Sequence, residues 1–245
     1  MKKSSVYLAA AAAVAIGAGM MTTAMAASTV VVGGKTYIVY DGAKDALVKG
    51  NAKDNKFVGV IGRLNNDLTV KGGAGDDVFY ATDLITETFE GGVGADTFVF
   101  GAETSDPYQS DTIADFNAAE GDVIDLRFMD ANTKVPGHQA FTFIGDAPFQ
   151  GTSGTYAAAG QLRIANGVLE GDTNGAFDEP ELIVNLTGVS SVSETALVLG
   201  PSPYTGSAKK EMAKLAKAKA KGKKALKCQA KPKSKRKACK ARKAK

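Results

Sequence analysis

Two aspartates, Asp77 and Asp96, each close a glycine-rich run of one shape. The shape is G-G-x-G-x-D-x-U-x with U a large apolar residue, read as GGAGDDVFY over 72–80 and as GGVGADTFV over 91–99. Gly72, Gly73 and Gly75, and likewise Gly91, Gly92 and Gly94, permit positive φ and a turn tight enough to aim successive backbone carbonyls at one point. A hard cation wants six to eight oxygens at about 2.3–2.6 Å, and the loop carbonyls with the carboxylates of Asp77 and Asp96 can supply them. Calcium suits such an irregular, carbonyl-rich cage better than magnesium, which demands a near-ideal octahedron. A pair of ordinary Gly-Asp hairpin turns would share the glycines and the strand that follows, but would not be expected to repeat the five fixed positions at this spacing.

The loops need strands to hold them. Each aspartate leads into a short strand whose Phe79 or Phe98 points inward while its neighbours point out. One nonapeptide makes half a coil of a parallel β-roll, so turns on the same edge recur at about 18 residues. Gly72 and Gly91 stand 19 apart, two repeats plus one inserted residue. That spacing predicts two loops on one edge, about 4.8 Å apart, with a cation between them.

The surrounding chain reads as more of the same. Residues 29–40 are two β-branched runs about Gly33-Gly34, a hairpin. Residues 50–58 (GNAKDNKFV) look like a worn copy of the nonapeptide, with Asn55 in the Asp place and Phe57 in the apolar place. Residues 59–70 are more degenerate; Asp67 and Asp83 fall on the opposite edge, in loops that lack the glycines. In 110–126 Ile113, Phe116, Val123, Ile124 and Leu126 can close the end of the roll, and Asp111, Asp115, Asp122 and Asp125 alternate with them.

At this point the chain resembles the C-terminal calcium-binding β-roll of the serralysin metalloproteases, a branch of the RTX proteins, whose nonapeptide is the pattern described above. In that family the repeats are followed by a D-x-I-x-D-F segment and a D-x-I-D-L strand; here Asp111 to Phe116 and Asp122 to Leu126 occupy those places. HQAFTFIG (138–145), GQLRI (160–164), LEGDTNGAFDEPELIVNL (169–186) and ETALVL (194–199) look like the family's remaining strands, so the likeness covers roughly 50–199. It implies an all-β fold, a parallel β-roll capped by further strands, with calcium as its cofactor and Asp111 and Asp115 as further candidate ligands. It does not imply proteolysis. Serralysins carry an H-E-x-x-H helix, and this chain has one histidine, His138, read as a strand or loop residue. No nucleophile and base stand at a telling spacing, so no enzyme is expected.

Residues 1–26 read as an export signal: Lys2 and Lys3, an apolar run from Val6 to Met21, then the small-x-small site Ala24-Met25-Ala26. The mature chain is then expected outside the cytoplasm with no membrane span of its own. The formal charge of +4 hides two opposed parts: eighteen Lys or Arg against one acid in 208–245, a net of +17, and ten basic against twenty-five acidic residues in 27–207, a net of −15. The organisation expected is a signal over 1–26, a roll domain over 27–199, a linker over 200–207 and a Lys/Ala-rich tail over 208–245 that is disordered or helical.

Three readings of the tail stay open: a binder of acidic polymers such as DNA, lipopolysaccharide or acidic polysaccharide, a solvated tail, or a strap lying on its own acidic body when calcium is absent. Its apolar positions Met212, Leu215 and Leu226 look too sparse to pack on anything, and no aromatic interleaves the lysines, so specific nucleic-acid readout is not expected. Cys228 and Cys239, the chain's two cysteines, can close a disulfide loop or pair between chains, and the oligomeric state stays open with them. Asp172, Asn174 and Asp178 have the spacing that starts an EF-hand loop, but the glycine falls at the fourth position rather than the sixth and Ile183 stands at the twelfth, so a polar turn is expected there.

Overall fold

The computed structural model describes residues 27–41, 46–60, 67–82, 85–101, 110–150, 159–175, 180–200 and 206–229. The signal segment, Asp83, Asp178 and Cys239 lie outside them, as do the side chain of Cys228 and with it the cysteine pairing.

Strands β1 (Ser28–Val32) and β2 (Lys35–Asp41) form the expected antiparallel hairpin about Gly33 and Gly34, both at positive φ (59° and 79°) as a two-residue turn of matching twist requires. From β2 onward the chain winds into a two-sheet solenoid. One sheet continues in parallel register through β4 (Lys56–Val60), β6 (Val78–Tyr80), β8 (Thr97–Gly101), β10 (Val123–Phe128) and β15 (Leu197–Val198). The other stacks β3 (Ala46–Lys49), β5 (Leu68–Ala74), β7 (Glu87–Val93) and β9 (Asp111–Ile113), again in parallel. It is then extended by β14 (Leu182–Leu186), β13 (Val168–Asp172), β12 (Gln161–Ala165) and β11 (Thr142–Phe143), which cap the C-terminal end.

The core explains the register. Phe57, Phe79 and Phe98 are directly opposed on successive strands and fully buried, with ring centroids 4.8 and 5.1 Å apart and planes within 6° and 11° of parallel. Phe89 leans in from the facing sheet at 5.5 Å from Phe79, and Phe116 approaches Phe98 at 6.3 Å. The worn repeat at 50–58 therefore is a coil of the roll, its Phe57 beneath Phe79. Ile113, Phe116, Ile124 and Leu126 join this core as expected, whereas Val123 is half-buried and outside it.

The tail forms α1 (Gly206–Gln229), which begins two residues inside the stretch read as linker. The expectation that its apolar spacing is too thin to pack does not hold. Leu215, Ala218 and Leu226 are buried with Val30, Val32, Tyr37, Val39, Val58 and Val60 on the outer face of the first sheet, and Ala225 and Gly222 are buried on the same side of the helix. A Cβ at Gly222 would overlap the Val39 side chain, so the helix backbone lies directly on the strand. Small residues carry the contact by letting two backbones approach, a contribution that a count of large apolar residues misses. Among the described residues no helix is long and apolar enough to cross a membrane.

Candidate metal centre

The parallel register sets Gly73 beside Gly92 and Ala74 beside Val93, so the two nonapeptide loops do lie on one edge, one above the other. The Gly75 amide donates to the Val93 carbonyl (2.9 Å) across the gap. The glycines at the second and fourth positions of each loop take positive φ: 116° and 108° at Gly73 and Gly75, 96° and 141° at Gly92 and Gly94. In the upper loop they also leave room, because a Cβ at Gly92 would strike the Gly73 carbonyl oxygen and one at Gly94 the Gly75 oxygen. The first glycines have a different job: a Cβ at Gly72 or Gly91 would collide with Oδ2 of its own loop's aspartate, Asp77 or Asp96. The pattern thus lets each carboxylate pack directly on the first glycine of its own loop, with the Gly91 carbonyl oxygen also close to Gly72.

Those carboxylates belong to a ladder. Asp77 Oδ1 accepts from the Asn55 amide (2.6 Å), Asp96 Oδ1 from the Asp77 amide (2.9 Å), and Asp122 Oδ1 from the Asp96 amide (2.9 Å). Asp122 uses its second oxygen as well, accepting from the Asn117 amide at 2.9 Å. Asp77 and Asp96 do not: Oδ2 of each is buried without a hydrogen-bond partner. A buried, unpaired acceptor costs about 1–3 kcal/mol, more if charged, and calls for an ion, a water or a proton. Burial pushes the Asp77 carboxyl up to about 7, the Asn55 amide opposes the shift, and the negative charges of Asp96, Asp54 and Asp76 add to it. Asp96 rises to about 6 for the same main reason, opposed by the Asp77 amide and raised further by Asp122, Asp115 and Asp76.

Asp115 stands at the same edge and clamps the second loop from the next coil, its Oδ1 accepting from the Gly91 amide (2.9 Å) and Oδ2 from the Gly92 amide (3.0 Å). Asp111 is not brought to these loops. It sits buried at the opposite edge, where Oδ1 accepts from the Glu87 amide (2.8 Å). Glu87 in turn accepts from the Tyr40 hydroxyl (2.6 Å) and the Thr82 amide (2.6 Å), and burial raises its carboxyl to about 7. Burial, then the charge of Glu87, pushes Asp111 up as well. Asp67, expected at this edge, is exposed.

Reading by motif missed Glu87 and the lower rungs of a second, outer ladder, in which Asp54 accepts from the Asp76 amide (3.2 Å) and Asp76 from the Ala95 amide (3.0 Å). The signal available for the outer ladder was an acid one residue before the pattern's Asp in both 50–58 and 72–80. Among the described residues no three His, Cys, Asp or Glu side chains cluster as a metal site, so a cation at the nonapeptide edge must draw on backbone oxygens.

The remaining candidates are structural. Asp172 Oδ1 accepts from the amides of Asn174 (3.0 Å) and Gly175, while Glu181 accepts from the Thr173 amide (2.8 Å) and the Asn174 side chain, so both acids serve the polar groups of 173–175. The His138 ring nitrogen Nε2 sits 2.9 Å from the Arg127 carbonyl oxygen.

Among known proteins, the profile of the family described as peptidase M10 serralysin C terminal matches residues 14–199. No curated protein matches the chain. The match is to the non-catalytic domain of serralysin-like proteins. With a parallel solenoid, two stacked nonapeptide loops and this match in place, the chain belongs to the serralysin C-terminal family of RTX calcium-binding β-rolls.

Proposed function

We propose that this chain is a non-enzymatic calcium-binding protein of the cell exterior whose roll folds on meeting calcium after export. The observation that carries the reading is the pair of buried, unpartnered Oδ2 atoms of Asp77 and Asp96, packed against the first glycines of the two stacked loops. Asp77 and Asp96 would hold the ion together with carbonyls of the loops that Gly72, Gly73, Gly75, Gly91, Gly92 and Gly94 shape, and Asp115 would fix the second loop from outside. Bound there, calcium supplies the positive charge that lets both carboxylates stay ionised in a buried place. Asp111 is left to the Glu87 network, away from this set. The acids are occupied in capping backbone amides, which supports a role without catalysis.

Compartment sets the timing. Cytoplasmic calcium is too scarce to neutralise a body of net charge −15, whereas extracellular modules work at about 10⁻⁴–10⁻³ M. The export segment read at 1–26 fits that sequence of events. Far-UV circular dichroism of the chain from Ala27 during a calcium titration tests it: β signal rises with calcium and not with equimolar magnesium. A spectrum indifferent to calcium sinks the reading.

Proton competition gives a second check. The carboxyls of Asp77 and Asp96 lie at about 7 and about 6 in the metal-free roll, above the unfolded range near 4. Raised values mean that the metal-free fold holds protons the unfolded chain releases, so their contribution to stability is fullest below about pH 4 and is lost as pH rises through 6 and 7. Calcium affinity runs the other way. Calorimetric titration should show it weakening by more than about tenfold between about pH 7.5 and about pH 5.5.

A further inference from the structure

Docking turns half of the basic tail into a shaped surface. Lys210, Lys217, Lys221 and Lys224 are exposed and, at about 100° per residue, fall within one sector of α1, beside the buried stripe of Leu215, Ala218, Gly222 and Ala225. They run along about 21 Å of axis at about 1.5 Å per residue. Lys221 also donates to the Val31 carbonyl (3.2 Å), which ties the ridge to the hairpin beneath. On the other flank Lys219 lies close enough to Glu87 to favour its charged form, so that side of the helix serves the roll.

We propose that this lysine ridge is a binding surface for a single-chain acidic polysaccharide. The charge is complementary, and because the ridge is held on a helix seated against a β-sheet, ligand binding does not have to order it. The chemistry of α1 favours a polysaccharide over nucleic acid. The helix contains neither arginine, whose fork grips phosphate in pairs, nor an aromatic residue on which a base could stack. The body below carries a net −15, which repels a broad duplex more than a thin chain confined to the ridge.

The test compares the mature chain with three variants at saturating calcium, by fluorescence anisotropy of labelled chondroitin sulphate and of a short duplex DNA, at low and at physiological salt. K210Q/K217Q/K221Q/K224Q removes the ridge, and K231Q/K233Q/K235Q/K237Q removes as many charges beyond α1. Gly222→Leu keeps every charge but cannot seat against Val39. The expected result is a loss of at least about tenfold for the ridge variant and for Gly222→Leu, against under about threefold for the control. Equal losses from both lysine sets, or an unaffected Gly222→Leu, overturn the ridge in favour of unshaped charge. Tighter binding to DNA overturns the polysaccharide. A parallel arm in chelator, followed by circular dichroism, separates this proposal from the calcium reading: an unchanged β signal there sinks the calcium reading and leaves the comparison of variants standing.

Discussion

Asp77→Ala combined with Asp96→Ala abolishes the calcium-dependent gain of β signal. Each substitution removes a carboxylate whose Oδ1 caps the amide of the preceding coil and whose Oδ2 is buried without a hydrogen-bond partner. The capping loss alone costs about 1–3 kcal/mol per site because a buried amide is left unpaired. Loss of the ion costs more, since binding energy at such a site is folding energy. Circular dichroism and calorimetry should agree, with no calcium-driven transition and heat of binding down to background up to millimolar calcium. Retained calcium binding in the double variant would mean that the site lies elsewhere, for instance among the acids at 111–125. Asp122→Ala is the informative comparison. Both of its oxygens already accept backbone amides, so that variant should be destabilised while still responding to calcium.

The second large effect is expected at Phe79→Ala. Phe79 is fully buried between the parallel rings of Phe57 and Phe98, with Phe89 tilted against it. Truncation opens a cavity at the centre of the stack, worth about 3–5 kcal/mol, a large fraction of the 5–15 kcal/mol that holds a typical domain. Urea unfolding at saturating calcium measures it, and the calcium concentration needed for folding should rise in step because metal and core stabilise the same state. A change below about 1 kcal/mol would show that the stack is not the core of the roll.

The parts of the molecule legible in the sequence are those in which position dictates chemistry. The nonapeptide names its glycines and its aspartate by place, and the 19-residue step puts Phe98 on Phe79 without further information. Even the worn copy is readable, because Asn55 and Phe57 keep the two positions that the ladder and the stack use. Glu87 is not legible. Nothing beside it in the sequence indicates that a carboxylate at the start of β7 is buried, since its partners Tyr40, Thr82 and Asp111 arrive from three other segments. Asp111 and Asp115 look alike in sequence, four residues apart, yet β9 runs between them and delivers them to opposite edges. The seat of α1 is hidden for a different reason: its contact is made by alanines and a glycine against valines that look like ordinary strand residues.

The ladder has a direction, and its first rung differs from the rest. Where the later coils carry aspartate, the first carries Asn55, which is neutral and closes its own loop: its side-chain oxygen accepts from the Asn51 amide (3.1 Å) and its side-chain nitrogen donates to the Lys53 carbonyl. That loop needs no cation to set its shape, and its backbone amide is already placed for the Asp77 carboxylate that arrives from the next coil. The neutral rung is thus a template from which ordering can spread one coil at a time, with each aspartate that docks presenting the amide that the following one requires.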